Sequence, residues 1–333
     1  MPSAALLKSR SRVSPYVQIA RVDHWFKNSF MLGGLLLAAF YRPEAVTWHA
    51  TGLLLLALGA TCFVASSNYV INELLDGRQD ALHPLKGNRP VPAGLIDAKV
   101  ATIEWLGLGL AGLALSTLVN RYVALAAVAL WLMGLVYNVP PLRTKEWPYL
   151  DVLSESANNA IRLLLGWFAI VPDRFPPLSL TLAYWMAGAF FMGAKRLAEY
   201  REIADPAVAA AYRRSFGHYN EERLLISLFF YATASALFTG IFIVRFHVEL
   251  VLFVPVAAML FAYYFRLALQ PGSPVQTPEA LYRDRRFVIY ATVSVALFVL
   301  LLFIRIPALY DWFNIDLATD RVAPLWTLEP GNR

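Results

Sequence analysis

The sequence has one cysteine, few histidines and little charge. Cys62 stands alone in 333 residues, so no disulfide closes within the chain and no cysteine cluster holds a metal. The five histidines offer no zinc-ligand spacing and no serine–histidine–acid set. Charged residues are only 16% of the chain while hydrophobic ones reach 58%, which excludes an ordinary soluble domain. The net charge of +6 has no single basic patch behind it. Lys and Arg lie between apolar blocks, which argues against nucleic acid and for membrane topology. Gly107, Gly109 and Gly112 spell GxGxxG, but inside an apolar run with no strand before it, so they read as helix-packing positions rather than a dinucleotide fingerprint.

What is present is a series of long apolar blocks. Nine candidate spans lie near 28–42, 50–75, 100–119, 122–138, 150–171, 178–194, 224–244, 248–267 and 287–304. The expected fold is an all-α polytopic membrane protein of about nine helices, two four-helix halves plus one, around a central cavity open to the cytoplasmic face. Of the 29 Lys and Arg, 21 fall in the N-terminal segment and the alternate loops that share its side. That asymmetry places the N-terminus and the long loops in the cytoplasm and the C-terminus outside. Residues 1–27 then form a cytoplasmic segment without a signal-peptide pattern, 28–305 the transmembrane catalytic domain, and 306–333 an extracytoplasmic tail. Trp25, Trp48 and Trp147 fit interfacial belts.

Chemistry concentrates where the second span ends. Asn68, Asn72, Asp76 and Asp80 recur every four residues and stack along one helical face. Oxygen donors so placed suit a hard divalent cation shared with a phosphate ligand. His83, Lys86 and Arg89 follow and supply positive charge for further phosphate oxygens. Four spans later the sixth opens into GAKRLAEYREI, where Lys195, Arg196, Glu199 and Glu202 gather at helical spacing. The two motifs mirror each other, as if each half gave one polar helix end to a common cavity. Between them, the fifth span carries Asp151, Glu155, Asn158 and Arg162 as a polar stripe, with Asn159 beside it. A stripe of this kind in a bilayer must face a polar cavity or pair with other helices. Tyr137 and Asn138 precede that span, and Arg143 and Lys145 lie in the loop between. The last cytoplasmic loop, with Glu279 and Asp284, reads as a solvated linker.

NELLDGRQDALHPLKGNRPVPAG resembles the first signature of the UbiA superfamily of intramembrane prenyltransferases. Asn72, Asp76, Asp80, Pro84, Lys86, Arg89, Pro90 and Gly94 match it, and Glu73 stands where that family usually has Asp. KRLAEYRE is similar to the Lys-Arg-x-x-Glu signature of the decaprenyl-phosphate phosphoribosyltransferase branch, as are VDHWFKN at 22–28, RRSFGHYNEERL at 213–224 and TPEALYRDRRF at 277–287. The resemblance implies a transferase using Mg²⁺, a polyprenyl phosphate acceptor and phosphoribosyl diphosphate as donor. Asn72, Asp76 and Asp80 would hold the metal and carry catalysis. Lys86 and Arg89 would hold donor phosphate oxygens, and Asn68 and Tyr137 are further candidates for substrate binding. Lys195, Arg196 and Arg162 would take the lipid phosphate, and Glu199 ribose hydroxyls. Two alternatives stand beside this: transfer of a prenyl group from a prenyl diphosphate to an aromatic or other acceptor, and a non-catalytic transporter. Homo-oligomer formation is left open.

Overall fold

The computed structural model describes residues 14–81, 87–276, 281 and 283–313. Among these there is helix and turn but no strand. The chain opens with α1 (Pro15–Ile19) and a 3₁₀ segment (Val22–Phe30), followed by α2 (Met31–Tyr41), α3 (Trp48–Asp80), α4 (Ala98–Thr117) and α5 (Arg121–Asn138). The second half holds α6 (Leu150–Ile170), α7 (Leu178–Ile203), the short α8 (Pro206–Tyr212), α9 (Glu221–Phe246), α10 (Val254–Ala268), α11 (Arg285–Phe303) and α12 (Pro307–Trp312). Polar side chains start several of them. Asp97, Asn120, Asn220 and Asp284 each accept first-turn backbone N–H groups of α4, α5, α9 and α11, satisfying donors that a helix leaves open.

All nine apolar stretches are helical, but among the described residues six helices are long and apolar enough to cross a membrane: those beginning at Trp48, Ala98, Arg121, Glu221, Val248 and Arg285. The count differs from nine for physical reasons. α2 has 11 residues as α-helix, because the chain before it winds as the 3₁₀ segment. α6 and α7 carry the polar stripe and the second motif, which lower their apolar character. Of these, α6 lies inside the bundle. α6 packs against α2, α3, α5 and α7, whereas α9 and α11 turn Phe229, Phe230, Leu237, Ile289 and Val293 outward, as a bilayer-facing surface requires.

Close packing fixes the central helix. A Cβ on Gly34 would stand 2.0 Å from the Leu163 carbonyl oxygen, and one on Gly166 2.0 Å from that of Met31. α2 and α6 therefore meet backbone to backbone, which only glycine permits. Gly109 and Gly112 likewise press on Ser67 and on the Ala60–Val64 turn of α3, while Gly107 faces open space. Two of the three glycines of that run are thus packing positions, as read. One apolar core, with Leu130, Leu165, Trp167 and Phe242, joins α2, α3, α5, α6, α9 and α11; a second, with Ala189, Leu197, Leu228 and Leu267, joins α6, α7, α9 and α10. The cavity lies between them.

Candidate active site

α3 spans 33 residues, about 50 Å of helix, longer than a bilayer's hydrocarbon core requires. Its last turns bring Asn72, Asp76 and Asp80, with Asn68 below them, to the wall of a cavity of about 530 Å³. Arg89 reaches the same wall from the following loop, Tyr137 from α5, Arg162 from α6, and Lys195, Arg196 and Glu199 from α7. The structure thus brings Asn68, Asn72, Asp76, Asp80, Arg89, Tyr137, Arg162, Lys195, Arg196 and Glu199 to one cavity, while Lys86, like His83, Pro84 and Glu279, lies outside the described residues.

The first cluster is a pair of carboxylates ringed by cations. Asp76 Oδ1 accepts from Lys145 Nζ at 2.5 Å and from Arg143 Nη2 at 3.0 Å, and Asn72 Nδ2 stands 3.3 Å from Oδ2. Asp80, 5% exposed, accepts from Arg89 Nη1 at 2.7 Å. Asn138 joins the group: its Oδ1 accepts from Asn72 Nδ2 at 2.6 Å and from Lys145 Nζ at 2.9 Å. Burial pushes the Lys145 ammonium down to about 8, while the nearby Asp76 carboxylate opposes the shift. Arg143 holds a left-handed backbone, φ +30°, which a non-glycine residue adopts only under local constraint. The constraint lies in its contacts, since Arg143 also pairs with Glu146 at 2.5 Å.

Glu73 does not share the cavity wall. It is 3% exposed, and its Oε1 lies 3.5 Å from the backbone N–H of Val91, underneath the loop that carries Arg89. Asn68 lines the cavity, but its Nδ2 donates to the Leu130 carbonyl at 2.8 Å and its Oδ1 rests against Gly134. Its amide serves the α3–α5 contact.

The second cluster inverts the first. Arg196, 2% exposed, donates to Asp151 at 3.2 Å, Glu155 at 2.7 Å and Glu199 at 2.9 Å. This revises the reading of Arg196 as a direct lipid-phosphate contact: three carboxylates already occupy its guanidinium fork. Glu155 also accepts from the Tyr137 hydroxyl at 2.9 Å. Asp151 is fully buried, away from the cavity, and gathers Tyr219 at 2.7 Å, Ser215 at 3.2 Å and Arg213 at 3.4 Å. Glu202 points elsewhere, accepting from the Gly272 N–H at 3.1 Å.

Among the described residues no three acids, histidines or cysteines gather closely enough to hold a metal by themselves. The donor set at the first cluster is two carboxylates and an amide. This suits a hard cation only if phosphate oxygens complete its coordination.

Residues 29–278 match the UbiA prenyltransferase family. The chain belongs to that family. Among relatives of this UbiA protein, a decaprenyl-phosphate phosphoribosyltransferase of Mycolicibacterium smegmatis is 30% identical over 239 residues, 70% of this chain and 71% of that one. A digeranylgeranylglyceryl phosphate synthase of Saccharolobus solfataricus is 28% identical over 162 residues, 48% of this chain and 53% of its own. A UbiA homolog from Archaeoglobus fulgidus, solved bound to DMAPP and Mg²⁺, has the same fold, with a TM-score of 0.63 at 19% identity over 88% of this chain and 100% of that one. The UbiA chain is therefore a multi-pass membrane transferase, and the transporter reading is set aside.

Sequence reasoning missed several residues of this UbiA site. Arg143 and Lys145, noted only as loop residues, lie more than 60 positions from the Asp76 carboxylate they meet, and Asn138 lies as far from Asn72. Asn28, within WFKN, holds Arg162, and Arg213 lines the cavity from the RRSFGHY stretch. That stretch and the WFKN stretch carried a family resemblance, which was the available signal; nothing local marked their partners.

Proposed function

We propose that this chain transfers a 5-phosphoribosyl group from phosphoribosyl diphosphate to a polyprenyl phosphate, with release of diphosphate, on the cytoplasmic side of the cell membrane. The observation that carries the reading is the division of charge in one cavity. An acidic helix end faces it from α3, and cationic Lys195 and Arg162 face it from α7 and α6. Two anionic substrates need both; a prenyl diphosphate with a neutral acceptor needs only the first. The names of the mycobacterial-type relatives support the same choice.

Mg²⁺ fits the first cluster. Asn72, Asp76 and Asp80 would hold it, since they offer only hard oxygen donors on one wall, and the Archaeoglobus homolog was solved with this cation and a diphosphate ester. When bound, the cation stabilises charge that builds on the departing diphosphate. Arg89 and Lys86 hold further donor phosphate oxygens, and Lys145 and Arg143 supply positive charge beside them. Tyr137 positions Glu155 through its hydroxyl. Arg196 fixes Glu155 and Glu199, which accept from ribose hydroxyls.

An oxygen of the acceptor phosphate attacks C1 of the ribose while the C1–O bond to diphosphate breaks, and the electron pair leaves with the diphosphate. The acceptor phosphate is already ionised at neutral pH, so no general base is required. The deciding experiment offers the purified protein in detergent, with Mg²⁺, polyprenyl phosphate and labelled phosphoribosyl diphosphate. A parallel tube contains prenyl diphosphate and an aromatic acid. Label in the lipid phase of the first tube is expected; product in the second alone would overturn the reading.

A further inference from the structure

Two of the arginines that line this cavity, Arg162 of α6 and Arg196 of α7, are treated in opposite ways. Arg196 has three carboxylate partners. Arg162, 8% exposed, has none among the described residues: Nε donates to Asn28 Oδ1 at 2.8 Å and Nη1 to the Asn158 carbonyl at 3.3 Å. Nη2 makes no hydrogen bond there. A guanidinium buried without a counter-charge is costly at membrane depth, and this one opens onto the cavity. Beside it, the Asn158 Oδ1 atom is buried with no partner.

The level of Arg162 is also distinct. Tyr137 and Asn138 tie Glu155 of α6 to Asn72 of α3, which marks one level. Arg162 lies seven residues beyond Glu155, about 10 Å along α6. Its holder Asn28, 1% exposed, donates to the sulfur of Cys62 at 3.2 Å. Cys62 lies ten residues before Asn72, about 15 Å along α3. Both helices thus anchor Arg162 below the carboxylates: its Nη1 reaches back one turn to Asn158, and its Nε is held at the level of Asn28 and Cys62.

We infer that Arg162, aimed by Asn28, forms a separate phosphate-monoester subsite at the deep end of the cavity, below the diphosphate subsite. It deepens the phosphoribosyl-transfer reading, on which it rests for the identity of its occupant: the acceptor's lipid phosphate or the donor's sugar phosphate. Asn28 is a positioning residue. It holds Nε so that the Nη2 edge is left for a phosphate oxygen, and the partnerless Asn158 oxygen suits a neighbouring hydroxyl.

The test measures binding of three probes to the full-length protein in detergent: farnesyl phosphate, ribose 5-phosphate, and diphosphate with Mg²⁺. Arg162→Gln is expected to weaken one of the two monoesters by about thirtyfold or more, leaving Mg²⁺-diphosphate within about threefold. Loss of farnesyl phosphate assigns the subsite to the acceptor, and loss of ribose 5-phosphate to the donor. Asn28→Ala should weaken the same monoester, and Asn28→Asp should weaken it too, by pairing with the guanidinium, each raising KM for that substrate more than it lowers kcat. If Arg162→Gln does not fold, Arg162→Lys and the Asn28 variants carry the same comparison. Monoester binding that ignores these changes, no monoester binding to the unaltered protein, or equal loss of all three probes would overturn the subsite. Arg162-dependent monoester binding without phosphoribosyl transfer would keep the subsite and remove the reading above. Transfer indifferent to Arg162 would do the reverse.

Discussion

The two polar helix ends are built from the same ingredients in opposite order. At the end of α3, carboxylates stand at the centre and Arg143, Lys145 and Arg89 surround them from loops. Between α6 and α7, the guanidinium of Arg196 stands at the centre and Asp151, Glu155 and Glu199 surround it from helices. The difference lies in what an incoming ligand can exchange. On the proposed reading, loop cations would pass from a carboxylate to a phosphate oxygen while a metal would take the carboxylate. A fully buried arginine held by three helix-borne acids has nothing to exchange and acts as a rivet. Mirror-image motifs in the two halves have therefore diverged into a working end and a fixed end.

The largest effect that would break this contrast comes from the working end. Asp76→Ala or Asp80→Ala should lower turnover by about 10³-fold while the protein keeps its thermal midpoint in detergent; near-normal rates in both variants would end the assignment. At the fixed end, Arg196→Leu leaves buried acids without a counter-charge and should cost about 3–5 kcal/mol of stability, read as a lowered unfolding midpoint. An unchanged midpoint would mean that Arg196 is no rivet.

Metal binding sharpens the comparison next. With Arg143→Gln and Lys145→Gln together, Mn²⁺ titrated without diphosphate should bind about tenfold more tightly by electron paramagnetic resonance, because nothing competes for Asp76. With diphosphate present the same double variant should bind the metal more weakly. Equal behaviour in both states would show that the loop cations do not exchange.

Smaller effects follow at the margins. A Cβ at Gly134 would meet Asn68 Oδ1 at 2.0 Å, so Gly134→Ala should cost about 1–3 kcal/mol by parting α3 from α5. Glu73→Gln should change turnover by less than about tenfold, because an amide oxygen still accepts the single, long hydrogen bond seen from Val91. A hundredfold loss would instead make Glu73 a metal ligand.

Much of the working end was legible in the chain because its acids lie on one helix. Asn72, Asp76 and Asp80 repeat every four residues, and helical geometry alone stacks them. The stripe from Glu155 to Arg162 was legible for the same reason, and it does line the cavity. Asp151 shares the spacing but not the cavity, since Tyr219, Ser215 and Arg213 close over it. Arg196 looked like an anion contact because its three acids could not be assigned to it from spacing: two of them come from a helix more than 40 positions away.

Apolar length and the four-residue repeat were enough to determine a helical membrane bundle and the helix that carries the acids. Those properties are local, and the period of a helix converts them directly into faces. Which charge stands at the centre of each cluster, which arginine is riveted and which is left open, and where α2 and α6 touch through Gly34 and Gly166 were decided only in three dimensions. Pairing across helices depends on how their backbones approach, and no spacing along one strand of sequence encodes that distance.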